Sequence, residues 1–259
     1  MGWRRLVESG RPEGPIGVAI AGFPGVANVG AGVVSYLSEE LGSKLLARVY
    51  SEYLFLPGNV AGVSVSESGG FELPAVQISQ TEREIEGLGR MLLISSQVQP
   101  VPWGQLEVAS EVIKYVASLG VRRLIVITGY ADPELMGKVL TFGSDRDILE
   151  RLLKCGAVEQ MPMKSIVGLA GATLAAAKLR GMDFVSITGV SETSAPDFRA
   201  AGAVLKVLNG ALGLGLSLES IERRVREFEE IRQTILRQLQ EQISSLSPPG
   251  SEEAGGYVG

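Results

Sequence analysis

The stretch Ala21-Gly22-Phe23-Pro24-Gly25-Val26-Ala27-Asn28-Val29-Gly30-Ala31-Gly32 decides how the rest of the chain is read. It follows a short apolar run, Ile16 to Ile20, and leads into a helical period at Val29, Val33, Tyr36, Leu37 and Leu41. The pattern reads as strand, glycine turn and helix, the opening of an α/β domain. Glycines at 22, 25, 30 and 32 are expected to permit positive φ and close backbone approach, while Pro24 fixes one φ and removes one donor. Amides at the start of the helix then either face an anion or pack beneath a neighbouring element or subunit. The stretch has neither the Gly-Lys-Ser/Thr ending of a phosphate loop nor the spacing of the dinucleotide fingerprint.

Outward from this turn the same unit recurs. Leu45 to Tyr50 reads as a strand and Phe55-Leu56-Pro57-Gly58 as a turn. Alternation at Val60, Gly62 and Ser64, a turn from Ser66 to Gly70, and Phe71, Leu73, Ala75 and Gln77 predict an antiparallel hairpin, with Pro74 pushing its second strand toward an edge. Met91 to Ile94 is a short buried strand. Its exit loop carries Gln97, Gln99, Pro100, Pro102 and Trp103, and a helix follows with Leu106, Val108, Ala109, Val112, Ile113, Val116 and Leu119, closed by Gly120. Leu124 to Ile127 ends in Thr128-Gly129-Tyr130, and Phe184 to Ile187 ends in Thr188-Gly189-Val190-Ser191-Glu192-Thr193. Between them lie a helix near Asp145 to Leu153 and a small-residue helix from about Gly168 to Leu179. Strands alternating with helices predict a largely parallel sheet covered on both faces. Right-handed crossovers would then gather Gly22, the Gln99 loop, Tyr130 and Glu192-Thr193 at one sheet edge, where ligands bind in open α/β sheets.

Composition narrows the chemistry. With 259 residues, 45% hydrophobic and 20% charged, the chain can bury a large core. Its net charge of −5 and scattered arginines give no one-sided basic field, so nucleic acid is not an expected partner. The chain has no histidine and one cysteine, which excludes Ser-His-Asp and Cys-His pairs and histidine metal sites. No metal or cofactor is expected. Cys155 precedes Gly156 at the end of an apolar helical period and reads as a small helix-end residue rather than a nucleophile. The longest apolar run, Ile166 to Ala177, is short of the roughly 18 residues a membrane span needs. With no targeting pattern at the N-terminus, the expected location is the cytoplasm, away from any membrane.

The C-terminal segment is different in kind. From Leu218, positions Ile221, Val225, Phe228, Arg232, Ile235, Leu239, Gln242 and Leu246 repeat with 3,4 spacing, interrupted by Arg232 and Gln242. Ser217 is a candidate N-cap, and Glu219 with Arg223 and Glu222 with Arg226 are four-residue pairs. This coiled-coil-like amphipathic helix is expected to bury Leu218, Ile221, Val225, Phe228, Ile235 and Leu239 on its own domain or between subunits. Ile231, Leu236 and Ile243 widen the seam. The reading divides the chain into an α/β domain over 1–216, the helix over 217–246 and a polar tail over 247–259.

Gly22-Phe23-Pro24-Gly25 with Asn28 and Gly30, Gln99-Pro100, Gly129-Tyr130, Ile166-Val167-Gly168, Leu179-Arg180-Gly181 and Glu192-Thr193-Ser194 with Ala203-Val204-Leu205 together resemble the proteasome assembly chaperone 2 family in its archaeal and bacterial form. The resemblance runs from about Gly17 to Ser217. It implies a phosphorylase/hydrolase-like α/β sandwich, homo-oligomerisation, no established catalysis, no cofactor and, in some members, chaperoning of proteasome α-subunits. The family commonly has glycine after Glu-Thr-Ser, where this chain has Ala195-Pro196-Asp197. Archaeal members that dock on proteasomes tend to end in hydrophobic-Tyr-any residue; here Tyr257 and Val258 are the corresponding candidates for tail docking, with Tyr257 one place early. The alternative function is small-molecule binding, or a nucleoside-phosphorylase-like enzyme, at the strand-end edge. Its candidate groups are Glu192, Asp132, Asn28, Gln99 and Thr128, with Lys138 the nearby cation.

Overall fold

The structure is a computed structural model and describes residues 3–54, 64–65 and 69–246. Strands β1 (Arg4–Glu8), β2 (Ile16–Gly22), β3 (Ser43–Ser51), β6 (Val76–Thr81), β7 (Arg90–Ser96), β8 (Arg123–Ala131), β9 (Val139–Gly143), β10 (Val158–Glu159) and β11 (Asp183–Ser191) form one sheet of 9 strands, ordered β1-β3-β6-β7-β2-β8-β11-β9-β10. A separate two-stranded ribbon pairs β4 (Ser64–Val65) with β5 (Phe71–Glu72). At the centre β7, β2, β8 and β11 run parallel, and antiparallel pairs flank them: β6 against β7 on one side, β9 against β11 on the other.

Helices cover both faces, as the alternating pattern requires. On one face lie α1 (Val29–Glu40), α3 (Arg146–Lys154) and α5 (Phe198–Leu212), packed on Val18, Ile20, Ile125 and Ile187. On the other lie α2 (Gln105–Ser118) and α4 (Gly168–Leu179), packed on Ala19, Ala21, Leu124 and Val126. Neighbouring residues of β2 thus feed opposite cores, the signature of a central strand buried on both sides. The predicted α1 positions Val29, Val33, Tyr36, Leu37 and Leu41 are all buried. α3 starts at Asp145, whose carboxylate accepts from Ile148 N at 3.1 Å and also holds the Arg123 guanidinium at 2.6 and 2.9 Å. Cys155 caps the end of α3, half-buried, with its amide bonded to Arg151 O.

Several local expectations are corrected. Positive φ in the turn after β2 falls on Ala27 (52°) and Asn28 (54°), not on glycine, and Gly25 is extended at φ −177°. Pro74 does not make an edge: β6 begins two residues later, so its amides are free to pair, and it lies between β3 and β7. The closest partner of Glu222 is Lys206 of α5 at 2.9 Å, with Arg226 adding a weaker charge attraction, and Arg223 approaches Glu227 at 4.0 Å. The predicted hairpin is present as the short β4–β5 pair, while its start from Val60 and the Phe55–Gly58 turn lie outside the described residues, as does the tail from 247.

The last helix, α6 (Leu218–Leu246), runs back antiparallel along α5. Ser217 caps it, accepting from Ser220 N at 3.2 Å. Lys206 meets Glu222, Val225 fits over Gly202, and the Phe198 and Phe228 rings lie 5.9 Å apart. Gly202 is needed there: a Cβ on it would stand 2.7 Å from Val225 Cγ2.

Candidate functional site

The strand-end residues do come together, and backbone close packing does it. A Cβ on Gly22 would lie 2.1 Å from Gly30 O, and one on Gly30 would lie 2.7 Å from Ile127 O, so α1 sits directly on β2 and β8. Gly129 gives the same access to the turn, since its Cβ would meet Val26 O at 2.0 Å. Phe23 turns inward and is buried in the core on the α2 and α4 side.

The turn is then fastened on two sides. Gln99 donates through its side-chain nitrogen to Pro24 O and accepts from Leu169 N at 2.9 Å through its oxygen, tying the turn to the start of α4. On the other side Ala27 N donates to Ser194 O at 3.0 Å and Ala27 O accepts from Asp197 N at 3.0 Å. These two bonds hold Ala27 in its left-handed conformation, a state that costs on the order of 1–3 kcal/mol for a residue with a side chain. Asp197 caps α5 through Arg199 N at 2.9 Å and accepts from Ser191 Oγ at 3.0 Å. Burial opposes the Asp197 charge, but the Arg199 guanidinium and amide and the Ser191 hydroxyl outweigh it, so its carboxyl sits below its ordinary value.

The remaining candidates are spread along the edge. Tyr130 is half-buried beside Val190 in the β8–β11 ladder. Thr128 and Thr188 share a buried hydroxyl pair at 2.7 Å. Asp132 is used in its own turn, accepting from Glu134 N at 2.9 Å and Leu135 N at 3.3 Å. Glu192 and Thr193 are exposed, and Thr193 Oγ1 accepts from Ala195 N at 3.3 Å. Asn28 is exposed and lines a trough of about 740 Å³ running along α1, with Ser35, Glu39, Ser79, Ser95 and Phe228. Among the described residues no group of histidine, cysteine, aspartate and glutamate could hold a metal ion. The polar groups at this edge are largely spent on holding backbone, and its one buried carboxylate among the described candidates, Asp197, is paired with Arg199 at 3.0 Å.

Sequence patterns placed Trp103 and Val167 in loop motifs but missed Met136 and did not show that all three present exposed apolar side chains at this edge. Trp103 is 71% exposed ahead of α2, Val167 80% exposed ahead of α4, and Met136 50% exposed between β8 and β9. They stand in loops without period, where only three-dimensional placement brings them to one side of the sheet. A second exposed apolar set lies on α6, at Ile231, Ile235, Leu236 and Leu239.

The architecture defines a class: a two-faced α/β sandwich with a closed, glycine-packed strand-end edge and a helix that outruns its own domain. Comparison with known proteins names it. The PAC2 family model matches residues 19–236, and the chain belongs to the PAC2 family. The crystal structure of Pyrococcus furiosus PbaB, an archaeal proteasome activator, superposes with a TM-score of 0.78 at 28% identity, covering 91% of this chain and 99% of that one. Pyrococcus furiosus PbaA, an archaeal homolog of proteasome-assembly chaperone, gives 0.71 at 25% identity over 94% of this chain and 95% of that one. The uncharacterized protein MJ1210 of Methanocaldococcus jannaschii is 24% identical over 246 residues, 93% of this chain and 91% of the relative.

Proposed function

We propose that this chain is a non-catalytic assembly factor that binds proteasome α-subunits, or assists their assembly, as a homo-oligomer in the cytoplasm. The observation that carries the reading is the likeness to PbaB along nearly the whole of both chains. The edge supports it: exposed Trp103, Met136 and Val167 suit a protein contact, for which aromatic and methionine side chains are enriched. The enzyme alternative draws less support, because Gln99 and Asp132 are committed to backbone bonds and Glu192 stands exposed without a proton-transfer partner among the described residues. In this reading the α/β body (1–216) and the helix (217–246) carry self-association, with α6 contributing buried surface, and the tail (247–259) supplies an apolar contact through Tyr257 and Val258. No described helix is long and apolar enough to cross a membrane.

The test is capture of isolated proteasome α-subunits by the full chain, by a truncation before Ser247 and by Tyr257→Ala. Binding by the full chain that falls in both variants supports the reading and assigns docking to the tail. Undiminished binding by the truncation moves docking to the folded body. No capture by any of the three refutes the function.

A further inference from the structure

The seam of α6 is covered only over its first half. Ile221 is fully buried, Val225 sits on Gly202, and Phe228 stacks on Phe198, the first residue of α5. Because the two helices run antiparallel, the helix beyond Glu229, which still reaches Arg199 of α5 at 3.6 Å, has passed the end of its support and overhangs the strand-end edge. The apolar positions do not stop there. Ile231, Ile235, Leu236 and Leu239 are 59%, 50%, 49% and 48% exposed and continue the same stripe. A projecting helix of this length is marginal by itself and is stabilised by packing an apolar face.

The polar interruptions of that stripe say what covers it. Arg232 and Gln242 occupy seam positions, and they are placed symmetrically, five residues before and five after Arg237. Arg232 already pairs with Glu229 of its own helix at 3.5 Å, and a parallel pairing of two copies would set Arg232 against Arg232 within the seam, bringing two guanidiniums together where solvent is excluded. An antiparallel pairing centred on residue 237 sets Arg232 opposite Gln242 of the second copy, whose amide oxygen accepts from the guanidinium. The same register puts Ile235 opposite Leu239 of the second copy, and Phe228 opposite its residue 246. At the 3,4-spaced seam positions apolar meets apolar and polar meets polar, and the arrangement is self-complementary about a two-fold axis, as an isologous contact must be.

We propose that the overhanging half of α6 is the docking surface for a second copy of this chain, paired antiparallel about Arg237. This deepens the self-association part of the functional reading and rests on it. It also fixes how the tails are presented. Phe228 lies opposite residue 246 of the second copy, so the two helix ends are about 27 Å apart at a rise of about 1.5 Å per residue. The segments that follow leave from opposite ends of the pair, each beside its partner's α/β body, and two linked contacts raise effective concentration without any new interface.

The experiment uses the full chain carrying Cys155→Ser, with Arg232→Cys in one preparation and Gln242→Cys in another, treated with a short bis-maleimide. The mixture is expected to give a covalent dimer joined 232 to 242 by peptide mass spectrometry, and neither preparation alone gives one. Self-linking of the Arg232→Cys chain, or no link in the mixture, overturns the proposal. Independently, Ile235→Asp with Leu239→Asp, at positions half-exposed in the single chain, is expected to halve the mass measured by light scattering with the circular dichroism of the body retained. An unchanged mass overturns it. A chain that cross-links as expected yet captures no proteasome α-subunit sinks the functional reading and leaves the pairing standing, whereas capture without the cross-link does the reverse.

Discussion

Gly22→Ala is expected to be far more damaging than Gly25→Ala, although the two glycines flank the same turn. The added Cβ at position 22 would stand 2.1 Å from Gly30 O, 2.6 Å from Gly30 C and 2.8 Å from Val34 Cγ2. Ordinary contact begins near 3.4 Å, so 3.4 − 2.1 leaves a deficit of 1.3 Å against backbone that no rotamer change relieves. Relief requires lifting α1 off β2, which opens the core around Val33 and Leu37, both fully buried. Overpacking costs typically about 1–3 kcal/mol, and a clash between two backbones belongs at the upper end, about 3 kcal/mol. For a domain of this size that is a fall in Tm of roughly 6–12 °C, at about 2–4 °C per kcal/mol. At Gly25 the nearest atom to an added Cβ is Phe23 O at 3.9 Å, and the extended backbone suits any residue, so Gly25→Ala is expected to stay within about 0.5 kcal/mol of the parent. Thermal unfolding followed by far-UV circular dichroism measures both. A Gly22→Ala protein melting within about 2 °C of the parent, or a Gly25→Ala protein falling as far, would refute the close-packing account.

Gln99→Ala removes both bonds that tie Pro24 to the start of α4, with an expected cost of about 1–3 kcal/mol and faster amide hydrogen exchange at Leu169; unchanged exchange there would count against the fastening role. Asp145 is disfavoured by burial but held more strongly by the Arg123 guanidinium and the Ile148 amide, so its folded carboxyl lies below its ordinary value. Its stabilisation is therefore present above about pH 4 and lost as pH falls below that through the folded value, and Asp145→Asn is expected to flatten the fall in stability below about pH 4, at a cost of about 2 kcal/mol at neutral pH; a variant with the parent's acid profile would contradict this. Purified protein is expected to show no phosphorolysis of nucleosides and no nucleotide hydrolysis above background; turnover that co-purifies and disappears in Glu192→Ala would establish the enzyme reading instead.

How much of this was legible in the sequence depends on whether the deciding contact is local. α4 was bounded correctly at Gly168 and Leu179, because a run of small residues between two breakers needs no tertiary knowledge. The gathering of Gly22, Gln99, Tyr130 and Glu192 along one edge followed from crossover handedness, a rule that acts on element order alone. The roles within that edge did not follow. Glycine content pointed to positions 22, 25, 30 and 32 for positive φ, yet the left-handed residues are Ala27 and Asn28, because Ser194 and Asp197, far along the chain, clamp Ala27 from both sides. The strand β9 escaped for a similar reason: Val139–Gly143 is too short to show a period and is recruited by pairing with β11.

The C-terminal helix joins both kinds of information. Its seam is plain in the spacing from Ile221 to Leu246, but spacing cannot say where one partner ends and another must begin. That point is set by α5, which starts at Phe198 because Asp197 caps it and is itself anchored by Ser191 at the end of β11. Had α5 begun two turns earlier, Ile235 and Leu239 would have had an intramolecular floor. Instead the cap that closes the strand-end edge also fixes which part of the seam stays uncovered, and the Gly202–Val225 contact sets the rotation at which those side chains emerge. In the proposed pairing, the face α6 offers to another copy is thus decided inside the α/β body, by one aspartate and one glycine, well before the chain reaches the residues that would make the contact.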